Sequence, residues 1–131
     1  MKSLLSTAAV LVSLAAPAFA ETSSATYAQI DSEIGCKGSA TDIKKDLIFN
    51  TKYRGRTVTW TGKVHDVKNG KLWLQTPGSR SIGSDFDVEM DSSVDLMQFD
   101  KGQTVTVQFE IKDYMGCFMP LFGKNGTLAA K

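Results

Sequence analysis

The chain has 131 residues, of which 42% are apolar and 22% charged, with fifteen basic and fourteen acidic side chains. These proportions are ordinary for a globular protein, so they exclude a disordered chain, a collagen, a coiled coil and a disulfide-dense miniprotein. The length is that of a single domain.

The first twenty residues have the three regions of an export signal. Lys2 provides a basic start, residues 4–16 form an apolar run, and residues 18–20 have the small-x-small pattern that signal peptidase accepts. We therefore predict a signal peptide at 1–20, cleavage after Ala20, and a periplasmic or secreted mature chain with no transmembrane segment. Removal of Lys2 leaves fourteen basic and fourteen acidic residues, and this neutrality disfavours nucleic acid as a partner.

Export determines how the two cysteines are interpreted. Cys36 and Cys117 are 81 positions apart, and a single pair in an oxidising compartment most simply forms a disulfide. A zinc or redox pair is the weaker alternative, because the sequence has no C-x-x-C motif and only one His. We expect a disulfide, with no metal and no cofactor.

The region before the first strand contains one predicted helix. Residues 21–38 are rich in Ser, Thr, Ala and Gly, and we expect an irregular lead-in. A helix is predicted over 39–50, because Ser39 or Thr41 can cap its start and Asp42 suits its first turn. Three apolar residues at helical spacing form the face that we expect to be buried: Ile43, Leu47 and Ile48.

From Arg56 onward the apolar period changes to two, which predicts strands. Alternate residues of the first strand form its inward face: Val58, Trp60, Gly62 and Val64. A glycine within a strand pattern predicts a bulge or bend, here at Gly62. Asn69-Gly70 is the dipeptide most typical of a hairpin, so residues 71–75 are predicted to return as a second strand.

Three further strands complete the pattern. They are predicted at 85–91, after a polar loop over 77–84, then at 103–113, and finally at 118–122 with a continuation at Thr127-Leu128. A short helical turn within residues 92–99 precedes the fourth strand.

Five short strands with a long, bent first strand are typical of the OB-fold, a five-stranded Greek-key barrel. The fold class predicted here is therefore mainly β, with a short N-terminal helix and a short helix before strand four. The predicted domain extends over residues 39–131.

Two stretches resemble exported bacterial OB-fold proteins, including the group named for its likeness to tRNA-anticodon-binding domains. They are DIKKDLIFNTKYRGRTVTWTGKVHDVKNGKLWL and FDKGQTVTVQFEIKDYMG. The shared features are a helix ending in Y-x-G-[KR], a V-x-W-x-G-x-V strand and a K-G-x-x-V-x-V strand, within roughly residues 40–115. The resemblance implies an OB-fold and a binding module, and it brings no catalytic residues.

The outer face of strands two and three is the usual ligand platform of an OB-fold. The candidate ligand-binding residues on this face are Lys71, Trp73, Gln75, Asp87 and Glu89, with Asp85 beside them. An outward Trp beside carboxylates and an amide suits sugar stacking or a cation–π contact with a cationic ligand. The alternative is that another segment covers Trp73 and that the acids only solvate a strand.

Three other patterns provide weaker candidates. The alternating acids of strand three could bind calcium, but alternate residues of a straight strand lie about 6–7 Å apart and do not converge on one ion. The basic cluster Lys52, Arg54 and Arg56 could contact an anionic partner, although a solvated turn is the simpler interpretation. The sequence contains no G-x-S-x-G motif whose serine His65 could activate, so we interpret His65 as a surface histidine.

We therefore expect an exported, non-catalytic binding module whose ligand is a small molecule, a glycan or an envelope protein. The main alternative is a glycan-binding B subunit of an AB5-type toxin, which is similar in size, exported, disulfide-bonded and pentameric. Polar residues on the exposed strand positions disfavour an obligate ring, so we expect a monomer. A small enzyme of unrecognised type is a third possibility.

Overall fold

A computed structural model of the chain describes residues 21–129. The predicted signal peptide at 1–20 lies outside the described residues. The elements follow one another as α1 (Tyr27–Ile34), α2 (Asp42–Ile48), a π-helical turn (Phe49–Tyr53), β1 (Thr57–Lys68), β2 (Lys71–Gln75), β3 (Phe86–Met90), a 3-10 turn (Leu96–Gln98), β4 (Thr104–Tyr114) and β5 (Leu121–Leu128).

The five strands close into a barrel in the order β1-β2-β3-β5-β4, with β4 pairing back to β1. Every pairing is antiparallel except that of β3 with β5. The long β1 pairs with β2 through its second half and with β4 through its first half. The prediction of a mainly β, five-stranded barrel is thus confirmed, and the architecture is consistent with an OB-fold-like barrel.

The barrel interior is filled by the side chains that the alternating pattern predicts to face inward. Leu72, Leu74, Val88 and Val107 are fully buried. Trp60 occupies the centre, where its ring makes edge-to-face contacts with Phe86, and also with Phe109, at centroid distances of 5.2 Å. Such aromatic pairs add to the stabilisation from apolar burial and hold the rings in one arrangement.

The bend of β1 lies at His65 and not at Gly62, so the predicted position of the bulge is wrong. The pairing register with β2 shifts between Val64 and Asp66. Gly62 has a different role, because a Cβ atom there would lie 3.0 Å from the carbonyl oxygen of Gln75. The glycine therefore permits a close approach of β2 within an otherwise regular strand.

The segment 21–38, predicted to be irregular, contains α1. Thr26 caps this helix by accepting a hydrogen bond from the amide of Gln29, and Ile30 and Ile34 are buried against the core. The indole Nε1 of Trp60 donates to the carbonyl oxygen of Ala25 at 2.8 Å. The helix was missed because only two of its eight residues are strongly apolar, and its stability comes from tertiary packing.

The predicted apolar face of the next helix is confirmed for Ile48, which packs against the core, and is wrong for its other two residues. Thr41 is the N-cap of α2, but Ile43 and Leu47 are 83% and 62% exposed. The helix continues directly into the π-helical turn, and burial falls on Phe49 and Tyr53 in that turn.

The last strand begins later than predicted. It starts at Leu121, directly after Pro120, and Phe118 is 94% exposed in the preceding loop. A proline has no amide to donate to a sheet, so pairing begins at the residue that follows it. Within residues 21–129, no helix is long and apolar enough to cross a membrane.

The predicted disulfide between Cys36 and Cys117 is confirmed, with an S–S distance of 2.07 Å. It joins the segment after α1 to the loop between β4 and β5. The two residues are 81 positions apart, so the bond closes a loop that includes four of the five strands. A cross-link of this span strongly restricts the unfolded chain.

Reduction of the disulfide should lower the free energy of unfolding by about 4–5 kcal/mol, because the unfolded chain regains the entropy of an open loop. Thermal melts with and without reductant should differ by at least about 10 °C. The double variant Cys36→Ser/Cys117→Ser should melt like the reduced protein and should not respond to reductant. Equal melting temperatures for the oxidised and reduced proteins would show that the disulfide has no structural role.

Candidate functional site

A cleft of about 700 Å³ lies over the outer surface of β2 and β3. Two loops form its sides, residues 77–84 on one and residues 115–120 on the other. The cleft lining includes Lys71, Trp73, Ile82, Asp87, Phe118 and Phe122. The volume lies in the range of sites that bind small molecules, and the lining combines apolar side chains with few charged groups.

The floor of the cleft is a row of three side chains on adjacent strands. Trp73 of β2 stands directly opposite Asp87 of β3, and Asp87 is in register with Phe122 of β5. Neighbouring strands are about 4.7–4.9 Å apart, so these side chains are within contact range of one another. The parallel pairing of β3 with β5 therefore places a carboxylate between two aromatic residues.

Asp87 is buried, with 5% of its surface exposed, and it forms no ion pair within the described part of the chain. Its Oδ1 accepts a hydrogen bond from the Ser84 hydroxyl, and its Oδ2 accepts none within the described chain. Burial raises the pKa of Asp87, although the Ser84 hydrogen bond and the charges of Lys71 and His65 oppose the increase.

Asp85 and Gln75 hold the loop 77–84 in place. One oxygen of Asp85 accepts from the amide and the hydroxyl of Thr76, at 2.8 and 3.0 Å, and the other accepts from the Ser81 hydroxyl. The Gln75 amide donates to the carbonyl oxygens of Ser81 and Gly83. Gln75 was predicted to bind ligand, but its donors are used by the loop and it does not line the cleft.

Trp73 is half-buried rather than fully exposed, and its indole Nε1 is buried without a hydrogen-bond partner among the described residues. The ammonium group of Lys68 lies 4.5 Å from the centre of its ring. One side of the predicted stacking platform is therefore covered by the protein itself. Because Trp73 is packed in this way, its replacement by Ala would change stability as well as binding.

Lys71 and Glu89 lie at the edge of the row. The ammonium of Lys71 is 5.4 Å from the centre of the Phe122 ring and lines the cleft. Glu89 is opposite Lys71 in the sheet register, but it is exposed and lies outside the cleft lining. The structure thus brings Lys71, Trp73 and Asp87 together and leaves Gln75 and Glu89 outside.

The apolar sides of the cleft were not predicted from the sequence. Ile82 and Phe118 are 96% and 94% exposed on opposite loops, and Met119 beside Phe118 is also exposed. The available signal was the placement of Phe118 and Met119 between a cysteine and a proline, where a strand is not favoured. Tyr27 of α1 also lines the cleft, and burial, reinforced by the charge of Asp85, raises the pKa of its hydroxyl far above the usual value.

The basic cluster is neutralised by the protein's own acids. Lys52 pairs with Glu33 at 2.6 Å, Arg54 with Asp113 at 3.3 Å, and Arg56 with Glu21. Each of the three basic side chains therefore has an acidic partner within the described part of the chain. Among residues 21–129, no group of three or more His, Cys, Asp and Glu side chains is arranged to hold a metal ion.

Comparison of the chain with family models, with curated proteins and with solved structures gave no match.

The substitution Asp87→Asn should stabilise the protein at neutral pH. Burial raises the pKa of this carboxyl in the folded state, so the folded protein binds more protons than the unfolded chain between the two pKa values. Stability therefore falls as the pH rises through that window, and the charged form is destabilising above it. We expect a gain of less than about 1 kcal/mol at pH 7, because solvent and nearby charges screen the site.

This gain should disappear below about pH 3, because an unfolded Asp carboxyl has a pKa of about 3.9 and is mostly protonated only below that pH. Thermal melts at the two pH values measure the effect, and Glu89→Gln provides the matched control because Glu89 is exposed on the same strand. The control should leave the melting temperature unchanged at pH 7. A variant Asp87→Asn that is less stable than the wild type at pH 7 would contradict the assignment of an unpaired buried charge.

Proposed function

We propose that the protein is an exported, non-catalytic binding module of the bacterial envelope that takes its ligand in the cleft over β2 and β3. The observation that carries the proposal is the buried, unpaired carboxylate of Asp87 between Trp73 and Phe122 at the floor of that cleft. Buried charges in proteins are ordinarily paired, so a charge left unpaired in a cleft indicates a partner that comes from outside. The ligand belongs to one of three classes: a small molecule, a glycan or an envelope protein.

The exposed apolar side chains support the same location. Ile82 and Phe118 stand on opposite sides of the cleft with almost their whole surfaces in contact with water. Paired exposure of this kind around a concave site is typical of binding surfaces. A ligand seated between the two loops would cover both side chains.

Export is part of the proposal. The Cys36–Cys117 disulfide fits a protein outside the reducing cytoplasm, and the pattern of residues 1–20 is that of a signal peptide. We also propose that the barrel is a Greek-key OB-fold related to the exported bacterial OB-fold proteins. The strand order and the sharing of β1 between β2 and β4 support this assignment.

Binding is favoured over catalysis because only one acidic group in the cleft is available for chemistry. Asp85 accepts three hydrogen bonds from Thr76 and Ser81 and is committed to the loop. Asp87 therefore has no second free carboxylate beside it among the cleft residues, so the cleft does not hold the pair of carboxyl groups that many acid–base mechanisms use. The site is therefore equipped to recognise a ligand and to hold it.

The substitution Phe118→Ser should weaken ligand binding without changing the melting temperature, because the side chain is 94% exposed and contributes little to packing. The matched control is Ile43→Ser, which removes an exposed apolar residue on α2, outside the cleft. Binding is measured by protein NMR against a panel of glycans, amphiphiles and short peptides. Chemical-shift changes should cluster at residues 69–73, 81–87 and 117–122. Hits that map elsewhere, or that Phe118→Ser does not weaken, would overturn the location.

Light scattering of the oxidised mature protein tests the assembly. We expect the mass of a monomer, because the exposed residues of β1 and β4 are polar. A pentamer would instead favour the glycan-binding toxin subunit.

A further inference from the structure

We propose that the cleft selects a small amphipathic amine, a molecule with an apolar chain or ring and one ammonium group that is placed against Oδ2 of Asp87. This inference rests on the proposed function and specifies the chemical class of its ligand. Three features of the cleft carry it: a carboxylate, two aromatic rings and an apolar border.

The carboxylate of Asp87 determines the sign of the ligand charge. It is 95% buried, its Oδ2 has no hydrogen-bond donor among the described residues, and no cation within residues 21–129 forms an ion pair with it. An ammonium group would supply both missing interactions, because it has three hydrogen-bond donors for Oδ2 and a positive charge for the carboxylate. An anionic ligand would instead add a second negative charge to a site of low polarity.

The two rings beside Asp87 favour a cation as well. The negative face of an aromatic ring attracts an ammonium group within about 6 Å. In this protein the ammonium of Lys68 lies 4.5 Å from the Trp73 ring centre, and that of Lys71 lies 5.4 Å from the Phe122 ring centre. These contacts show that both rings accept ammonium groups, while the carboxylate between them remains without one.

The apolar border explains why the ligand carries a hydrocarbon part. Ile82 on one loop and Phe118 with Met119 on the other are exposed around the opening of the cleft. A hydrocarbon chain that extends outward from Asp87 would pass between the two loops and remove these side chains from water. Each buried methylene contributes about 0.8 kcal/mol.

The charged and polar neighbours of Asp87 determine how strong the preference is. Lys71 on β2 and His65 on β1 act on the carboxyl through their charges, and Ser84 donates to it. Asp85 lies two residues earlier, directly before β3. Lys71 competes with an incoming cation for the same negative charge. Removal of the lysine charge should therefore strengthen the binding of an amine, and removal of the aspartate charge should weaken it.

The test compares three probes of equal chain length and different charge: octylammonium, 1-octanol and octanoate. Each is titrated into the oxidised mature protein at pH 7 and low salt, at concentrations at which the probe forms neither micelles nor a separate phase. Binding is followed by the chemical shifts of residues 69–73, 81–87 and 117–122. We expect octylammonium to bind at least about tenfold more tightly than octanoate, with octanol between them. Comparable binding of octanoate and octylammonium would overturn the proposal.

Substitutions test whether Asp87 causes the preference for octylammonium. Asp87→Asn keeps the acceptor for Ser84 and should weaken octylammonium binding about tenfold while leaving octanol unchanged. Lys71→Gln should strengthen octylammonium binding and weaken octanoate binding. Glu89→Gln removes one negative charge from the same strand outside the cleft, and it should change octylammonium binding by no more than about twofold. An equal loss of octylammonium affinity in Asp87→Asn and Glu89→Gln would overturn the role of Asp87.

The outcomes separate this inference from the proposed function. If all three probes bind in the cleft and Asp87→Asn has no effect, the cleft is a binding site but the preference for an amine is wrong. If no probe shifts the cleft residues, the amine proposal fails, and the wider screen with Phe118→Ser then decides whether the cleft binds any ligand.

Discussion

The disulfide between Cys36 and Cys117 is the constraint on which the candidate site depends. The loop that carries Phe118 and Met119 has few other attachments, namely a turn between the amide of Met119 and the carbonyl oxygen of Gly116, and the amide of Leu121 bonded to the carbonyl oxygen of Asp85. Cys117 lines this cleft, and it also lines a smaller cleft of about 510 Å³ beside α2. The cross-link therefore ties the apolar wall of the site to the segment that follows α1, and α1 itself is anchored in the core by Ile30 and Ile34.

The strand order of the closed barrel places the floor residues of the site side by side. Because β3 pairs with β2 on one side and with β5 on the other, residues from distant parts of the chain become neighbours across the sheet. Trp73, Asp87 and Phe122 form one row only in this arrangement. The inner faces of the same strands pack the core, so the row is supported from beneath by buried side chains.

In the proposed function, Asp87 combines a cost to stability with a role in ligand recognition. A buried carboxylate without a cation disfavours the folded state, and an amide of the same shape would remove that effect. Natural proteins keep such groups where function requires them, at a cost to stability. Asp85, two residues earlier and equally buried, shows the contrasting structural solution, since donors from Thr76 and Ser81 satisfy both of its oxygens.

Local signals predicted a large part of the fold. The Asn69-Gly70 hairpin has positive φ at both residues, as the dipeptide indicates, and the alternating residues of β1, β2 and β4 face inward as predicted. The errors occur where tertiary contacts override local preference. Burial falls on Phe49 in the π-helical turn and not on Ile43 or Leu47. The register shift of β1 falls beside His65 and not at Gly62, where a side chain would meet the carbonyl oxygen of Gln75.

The sequence by itself determined the strand periodicity, the hairpin, the pairing of the only two cysteines and three residues of the cleft: Lys71, Trp73 and Asp87. These features follow from the alternation of side chains along a strand and from the conformational preferences of single residues. Only the tertiary structure decided that Asp87 is buried and unpaired, that Gln75 holds a loop, and that Phe118 borders the cleft. Each of these depends on which distant strand or loop lies beside the residue, and a pattern of neighbours along the chain does not contain that information.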